Sequence, residues 1–239
     1  CNDNTAVGFH AGLVVSSGKQ NTIVGSGAGV AITTMNGATC FGYQAGAALT
    51  TSSGNNNTLI GYQAGLACTT SQRNTCIGTL AGATQTTAVD NTFVGNKCGQ
   101  KTTGSNNTIV GSNVLHLAAS TNANQNVFVG SSIASTVGAA NALTNNVTVG
   151  YSAGPVMTTA SSNVIVGASA AYNLTSAASN VLVGQAVATG LTTGASNVIM
   201  GHGAGTGIFA GANNIIIGDN AGSLGSYLST QVYTVAGGS

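Results

Sequence analysis

Short apolar runs that end in glycine set the rhythm of this chain. The pentads NTAVG, NTIVG, ATCFG, NTLIG, NTCIG, NTFVG, NTIVG, NVFVG, NVTVG, NVIVG, NVLVG, NVIMG and NIIIG close on Gly8, Gly25, Gly42, Gly61, Gly78, Gly95, Gly111, Gly130, Gly150, Gly167, Gly184, Gly201 and Gly218. Eight of the twelve steps from one anchor glycine to the next are seventeen positions long, and the others are sixteen, nineteen, nineteen and twenty. The apolar residues form short β-branched runs broken by Gly, Asn, Ser and Thr, without the three- and four-residue spacing of a helix, so the period predicts strands. A unit of that length is too short to bury a face alone and must stack on its neighbours. The fold expected is therefore all-β, a parallel β-solenoid or β-roll of about 13 coils over residues 1–222. Successive coils would rise by about 4.8 Å. Three of the unequal steps fall between Gly95 and Gly150, so the irregular stretch 96–149 is expected to hold a bend, a loop or a subdomain junction. Residues 223–239 read as a C-terminal extension leading to a missing segment.

Aligning the units on their anchor glycine assigns roles by column. Four residues before the anchor stands Asn4, Asn21, Asn57, Asn74, Asn91, Asn107, Asn126, Asn146, Asn163, Asn180, Asn197 or Asn214, with Ala38 the exception. Stacked amides can each donate to one neighbour and accept from the other, which predicts a structural ladder at a turn where Asn also tolerates left-handed backbone. The anchor glycine is expected to supply a corner that no side chain could enter. The residue just before the anchor is apolar in every unit, as in Val7, Val24, Phe41, Ile60 and Met200, and is assigned to the solenoid's own core. The residue before that points to the opposite face of a strand, yet it too is apolar in twelve units, Thr148 excepted. That second column, with Ile23, Leu59, Phe93, Ile109, Phe128, Ile165, Leu182, Ile199 and Ile216, is expected to face further copies of the same chain. An aspartate at Ile165 or Ile199 would then break association. Seven residues after the anchor lies another apolar column, including Val15, Ile32, Leu49, Cys68, Val137, Met157, Leu174, Leu191 and Ile208, assigned to a second strand in each coil.

Composition narrows the function. Only seven of 239 residues are charged (Lys19, Arg73, Lys97, Lys101, Asp3, Asp90 and Asp219), against 36 Gly, and the formal net charge is +1. Nucleic acid and anionic membranes lack the basic surface they would need. No apolar run reaches the ~18–20 residues of a membrane span, so no membrane insertion is expected. The N-terminal CNDNTAVG has neither the basic flank nor the apolar core of a signal peptide, and the chain reads as a mature or excised piece of something longer. Three aspartates, of which Asp3 and Asp90 share a column five coils apart, and three histidines, His10, His116 and His202, at different offsets give no basis for paired-carboxylate catalysis, a Ser-His-Asp arrangement or a metal site. GSGAG at residues 25–29 lacks the helix and lysine of a phosphate loop. The reading is of a protein without catalytic residues, cofactor or metal. Cys40 and Cys76 share a column two coils apart, about 10 Å by the coil rise, beyond disulfide reach, so buried thiols are expected.

The pentad N-[TV]-x-[VI]-G followed by x-x-A-G resembles the head repeats of trimeric autotransporter adhesins and related repeats of phage and large-virus tail fibres, over roughly residues 2 to 222. The resemblance implies a homotrimer of parallel β-rolls packed about a shared axis, displayed as a virion or cell-surface appendage. The units here are longer than those usual in that family. Attachment to a host-surface glycan or protein is the implied purpose, and Phe9, Tyr43, Tyr62 and Tyr151, each one residue after an anchor, are the candidate ligand-facing residues. Two alternatives stand beside this reading. One is an ice-binding solenoid, prompted by the Thr column at Thr33, Thr50, Thr69, Thr86, Thr103, Thr158, Thr175 and Thr192, although its Thr-Thr pairs lack the Thr-x-Thr spacing of a flat array. The other is an extracellular filament subunit that polymerises through open solenoid ends.

Overall fold

In the computed structural model, residues 3–50, 56–116, 122–135 and 142–223 are described. The chain is all-β, a parallel β-solenoid whose repeat places structurally equivalent residues most often 17 apart, and it divides into two compact units. Unit 1, essentially Cys1–His116, carries β1 (Thr5–Val7), β2 (Thr22–Val24), β3 (Thr39–Phe41), β4 (Thr58–Ile60), β5 (Thr75–Ile77), β6 (Thr92–Val94) and β7 (Thr108–Ser112). Unit 2, essentially Asn124–Ser239, carries β8 (Val127–Ser131), β9 (Val147–Tyr151), β10 (Val164–Val166), β11 (Val181–Val183), β12 (Val198–Met200) and β13 (Ile215–Ile217). Within each unit every strand pairs with the next in parallel and in register, column on column: Ile23 opposite Cys40, Leu59 opposite Cys76, Ile165 opposite Leu182. The unequal coil lengths leave this register intact, since Cys40 meets Leu59 across one of the longer steps. Among the described residues no helix is long and apolar enough to cross a membrane. All but one residue of the 223–239 extension lies outside the described residues, as does Val137.

The two strand faces are exchanged relative to the sequence-based assignment. The column two before the anchor is the solenoid's own interior: Ile23, Leu59, Phe93, Ile109, Phe128, Ile165, Leu182, Ile199 and Ile216 are all buried within the single chain. The column just before the anchor points outward, with Val7 58% and Phe41 54% exposed, and Ile77, Val110, Val129 and Met200 also in contact with solvent. The reason is the twofold alternation of a strand, which puts the residue before the anchor on the same face as the residue three before it. That third residue is Thr in most of the strands of unit 1, a side chain suited to water. The interior is completed by small residues such as Ala28, Ala45, Ala64 and Ala81, and by Ile32, Leu49, Cys68, Met157, Leu174, Leu191 and Ile208.

These last residues lie in turns. After the anchor, left-handed residues such as Gln44 (φ 51°) and Gly46 (φ 60°) alternate with turn hydrogen bonds, Ala45 N–H to the Gly42 carbonyl and Leu49 N–H to the Gly46 carbonyl. A backbone coiled this tightly cannot extend into the expected second strand. Here too the anchor glycine is required twice over: at Gly8 φ is +129°, and a Cβ would sit 2.7 Å from the carbonyl carbon of Gly25.

The asparagine column holds the coils together through both ends of each amide. The Asn163 Nδ2 group donates to the Asn146 side-chain oxygen (3.1 Å) and to the Ala177 carbonyl (2.9 Å), while its own Oδ1 accepts from the backbone N–H of Asn180 (3.0 Å) and from Asn180 Nδ2 (2.9 Å). One contact links to the preceding coil, one closes the residue's own coil at Ala177, and two link to the following coil. All four hydrogen-bonding positions of the amide are used, and the group is buried. The contact from backbone N–H to the preceding side-chain oxygen runs from Asn126 to Asn214 in unit 2, and in unit 1 from Asn4 to Asn21 and from Asn57 to Asn107; the amide-to-amide contact accompanies it at each of these steps except that from Asn74 to Asn91. At Ala38 the backbone N–H still donates to Asn21 Oδ1, but Ala38 has no amide to pass on. The left-handed backbone lies one residue earlier than the sequence suggested, at Gln20, Arg73, Asp90, Ser162, Ser179 and their equivalents, leaving Asn free to turn its side chain along the stack.

Two substitutions test this packing. Asn163→Ala strands the Asn180 N–H in a buried site, while the Ala177 carbonyl keeps the Ser161 N–H, and is expected to lower unfolding free energy by about 2 kcal/mol. Thr148 is the polar member of the interior strand column, and its buried hydroxyl meets no partner. Thr148→Val keeps the shape and removes that cost, so it should raise stability by about 1 kcal/mol. Urea titration followed by far-ultraviolet circular dichroism measures both.

Candidate functional site

The column one residue after the anchor forms an outward edge, and it carries most of the exposed chemistry. In unit 1 it reads Phe9, Ser26, Tyr43, Tyr62, Thr79, Asn96 and Ser112 from the first coil upward. Phe9 is 72% exposed, and its ring lies on that of His10 with centroids 3.8 Å apart. Tyr43 and Tyr62, from adjacent coils, stack at 5.4 Å with ring planes 15° apart. Beside them Gln63 Nε2 donates to Gln44 Oε1 at 2.8 Å, so the next column forms its own amide step. Between the Phe9 platform and the Tyr43 platform the intervening coil offers only Ser26 and Gly27. The result is a cleft of about 290 Å³ lined by Phe9, His10, Ser26, Gly27, Val30, Tyr43 and Gln44. Thus the structure brings Phe9 and Tyr43 to one cleft, with Tyr62 behind Tyr43. Tyr151, 64% exposed, belongs to unit 2, where Ser131 and Ala168 occupy the same column on either side.

In unit 2 the column one residue after the anchor carries His202 and Asp219, a pair not singled out from the sequence. They occupy one column in adjacent coils, and His202 Nδ1 meets Asp219 Oδ1 at 3.0 Å, both side chains exposed. The signal was available, because each directly follows an anchor glycine, one repeat apart. Gln185 precedes them in the column. The left-handed column holds the second pair. Arg73 Nε and Nη2 donate to Asp90 Oδ1 and Oδ2 at 2.7 and 2.9 Å, a two-point contact on the surface. It holds the Asp90 carboxyl below the usual carboxylate range and raises the Arg73 guanidinium. A solvated pair of this kind is a clip between coils and contributes little to stability. The Thr column is likewise structural. Thr69, Thr158, Thr175 and Thr192 turn their hydroxyls onto carbonyls of the following coil.

The described cysteines, Cys40, Cys68, Cys76 and Cys98, are unpaired and buried in the interior of unit 1. Burial disfavours the thiolate and pushes Cys40 and Cys98 up to about 12, Cys68 to about 11, and Cys76 well above its ordinary value. Neutral, enclosed thiols are poor nucleophiles and poor metal ligands. Among the described residues no three of His, Cys, Asp and Glu come together as a metal-holding group. Gln85 and Thr102 also enter this interior, in the column where other coils have Ile, Leu or Cys. Comparison with protein-family models, with curated proteins and with solved structures found no match.

The thiols make stability depend on pH. Unfolded thiols ionise near 9.0, whereas the folded ones resist ionisation until about 11 to 12, so the folded state is favoured fully below pH 9 and progressively less above it. Between pH 9 and 11 the loss should approach ~1.4 kcal/mol per pH unit for each thiol. Urea midpoints measured from pH 7 to 10.5 should therefore fall. A Cys40→Ala, Cys98→Ala double variant should show a shallower slope.

Proposed function

We propose that this chain is a non-enzymatic structural segment of a fibre or adhesin, assembled from further copies of itself and displayed on a virion or cell surface for attachment. The observation that carries this reading is the outward strand face. In unit 2 both of its ranks are aliphatic: Val127 and Val129, Val147 and Val149, Val164 and Val166, Val181 and Val183, Val198 and Met200, Ile215 and Ile217. Several of these are more than a third exposed while the interior is already filled, so the apolar face is surplus to the needs of the single chain.

Size and period favour a copy of the same chain as the cover. Six strands at ~4.8 Å and three residues at ~3.3 Å give this face an area of roughly 300 Å². That is about the largest apolar patch a soluble monomer leaves bare, and it falls short of the ~800 Å² each partner contributes to a stable pair. A partner must therefore also cover a neighbouring flank, which three chains around an axis achieve because each copy offers two flanks. A second copy repeats its side chains at the same coil rise, so ranks can interdigitate along the whole face. The adhesin-like repeat pattern supports the same assembly.

A second reading draws on unit 1. There the outward ranks pair Thr with an aliphatic residue, Thr22 with Val24, Thr58 with Ile60, Thr75 with Ile77, on a parallel sheet. This is a two-rank array that the Thr-Thr column could not provide, and it supports ice binding by a monomer.

Sedimentation equilibrium separates the readings. The wild-type chain is expected at three times its 23.0 kDa mass, without thermal hysteresis. Val166→Asp and Val183→Asp, on the outward face, should dissociate it with the fold retained. Ile165→Asp puts charge into the interior and should unfold it instead. A monomeric wild type with thermal hysteresis would replace the fibre reading by the ice-binding one.

A further inference from the structure

The cleft between Phe9 and Tyr43 has the dimensions and lining of a ligand site. We infer that it binds a single neutral pyranose ring, sandwiched between the two aromatic side chains; this rests on the attachment role proposed above. The cleft exists because one coil omits what its neighbours carry. Phe9-His10 and Tyr43-Gln44 fill the two positions after the anchor in the flanking coils, whereas the coil between has Ser26-Gly27. The open volume, about 290 Å³, lies at the small end of ligand sites and suits one sugar ring.

Both walls are preformed. On one side the Phe9 ring rests on His10, and on the other Tyr43 is backed by Tyr62. Two coil steps separate the walls by ~9.6 Å. Two carbon–carbon contacts of ~3.5–4.0 Å occupy about 7 to 8 Å of that distance. A flat aromatic ring from a protein partner would leave the remainder, roughly 2 Å, empty, whereas a puckered six-membered ring is thicker, takes up part of it and turns C–H groups to both walls. A pyranose with every hydroxyl equatorial has such C–H groups on each face, so the sandwich favours the gluco over the galacto configuration. The lining also supplies polar groups that equatorial hydroxyls could meet: the Ser26 hydroxyl, the His10 imidazole and the Gln44 amide. Gln63 engages the Gln44 oxygen, so the NH₂ of Gln44 is the donor it has to offer. Among the described residues no carboxylate, lysine or arginine lines the cleft, which favours a neutral sugar over an acidic one.

Saturation-transfer NMR with methyl β-D-glucopyranoside tests the assignment, with methyl β-D-galactopyranoside as comparator. The wild-type chain should transfer saturation to protons on both ring faces of the glucoside and bind the galactoside several-fold more weakly. Ser26→Tyr sets in the gap a residue this column already carries at Tyr43 and Tyr62, and it should abolish transfer while circular dichroism and sedimented mass stay as in the wild type. Phe9→Ala should weaken binding by about tenfold. The assignment is overturned if the wild type shows no transfer, if Ser26→Tyr binds as well as the wild type, or if the galactoside binds equally. Should the wild type prove monomeric yet bind glucoside in a Ser26→Tyr-sensitive way, the sugar site stands and the self-associated fibre falls.

Discussion

One constraint organises this molecule: a buried primary amide must use two donors and two acceptor positions, and here every use points to a neighbouring coil or back to the coil's own end. Asn163 shows the complete set. Aspartate would bring charge and no donors, serine could not span the two contacts, and an alkyl side chain would leave a backbone N–H unpaired. The same amide thus fixes where a coil begins, where it closes and how far it stands from the next. Coil length can then vary without harm, because the amide contacts keep their register across steps of different length. The longest step, from Asn126 to Asn146, keeps the same pair of contacts as the ordinary step from Asn146 to Asn163.

With the coil closed this way, the strand has little work left inside. Three residues suffice in all the strands but β7, β8 and β9, which have five, and in the three-residue strands the middle one faces in, where Ile, Leu, Phe and Cys alternate with small alanines from the turns. The interior of unit 1 contains buried thiols, Gln85 and Thr102, and its thiols stay protonated because burial away from water outweighs the few hydrogen bonds that favour the thiolate. The outer residues of each strand need only suit an extended backbone, which Thr, Val and Ile all do. Unit 1 uses Thr in one outward rank and unit 2 uses Val and Ile in both, so the two units present different surfaces from one backbone plan.

A stacked column also turns sequence variation into surface relief. A side chain repeated from coil to coil makes a ladder or an aromatic stack, as at Tyr43 and Tyr62, and a small residue in one coil makes a recess of known height. His202 and Asp219 arise from the same logic, as do Arg73 and Asp90: partners appear wherever complementary residues share a column in adjacent coils. Function on such a scaffold is written as departures from the repeat, and the Ser26-Gly27 step is the departure that opens a cavity.

The sequence by itself determined the architecture, because a glycine-closed pentad recurring at so short and so regular a period leaves no other way to bury its apolar positions. It also determined that the asparagines stack. Which strand face points inward was decided by the tertiary structure: both faces are apolar, so alternation lost its contrast, and only the Thr rank sharing a face with Val24, Ile60 and Ile77 carried a hint. The turn following each anchor was decided there too, since left-handed backbone at residues such as Gln44 and Leu80 leaves no compositional mark. Last, the cleft at Ser26 depends on Phe9 and Tyr43 meeting across a coil between them, a distance set by the stack and invisible to a column read one unit at a time.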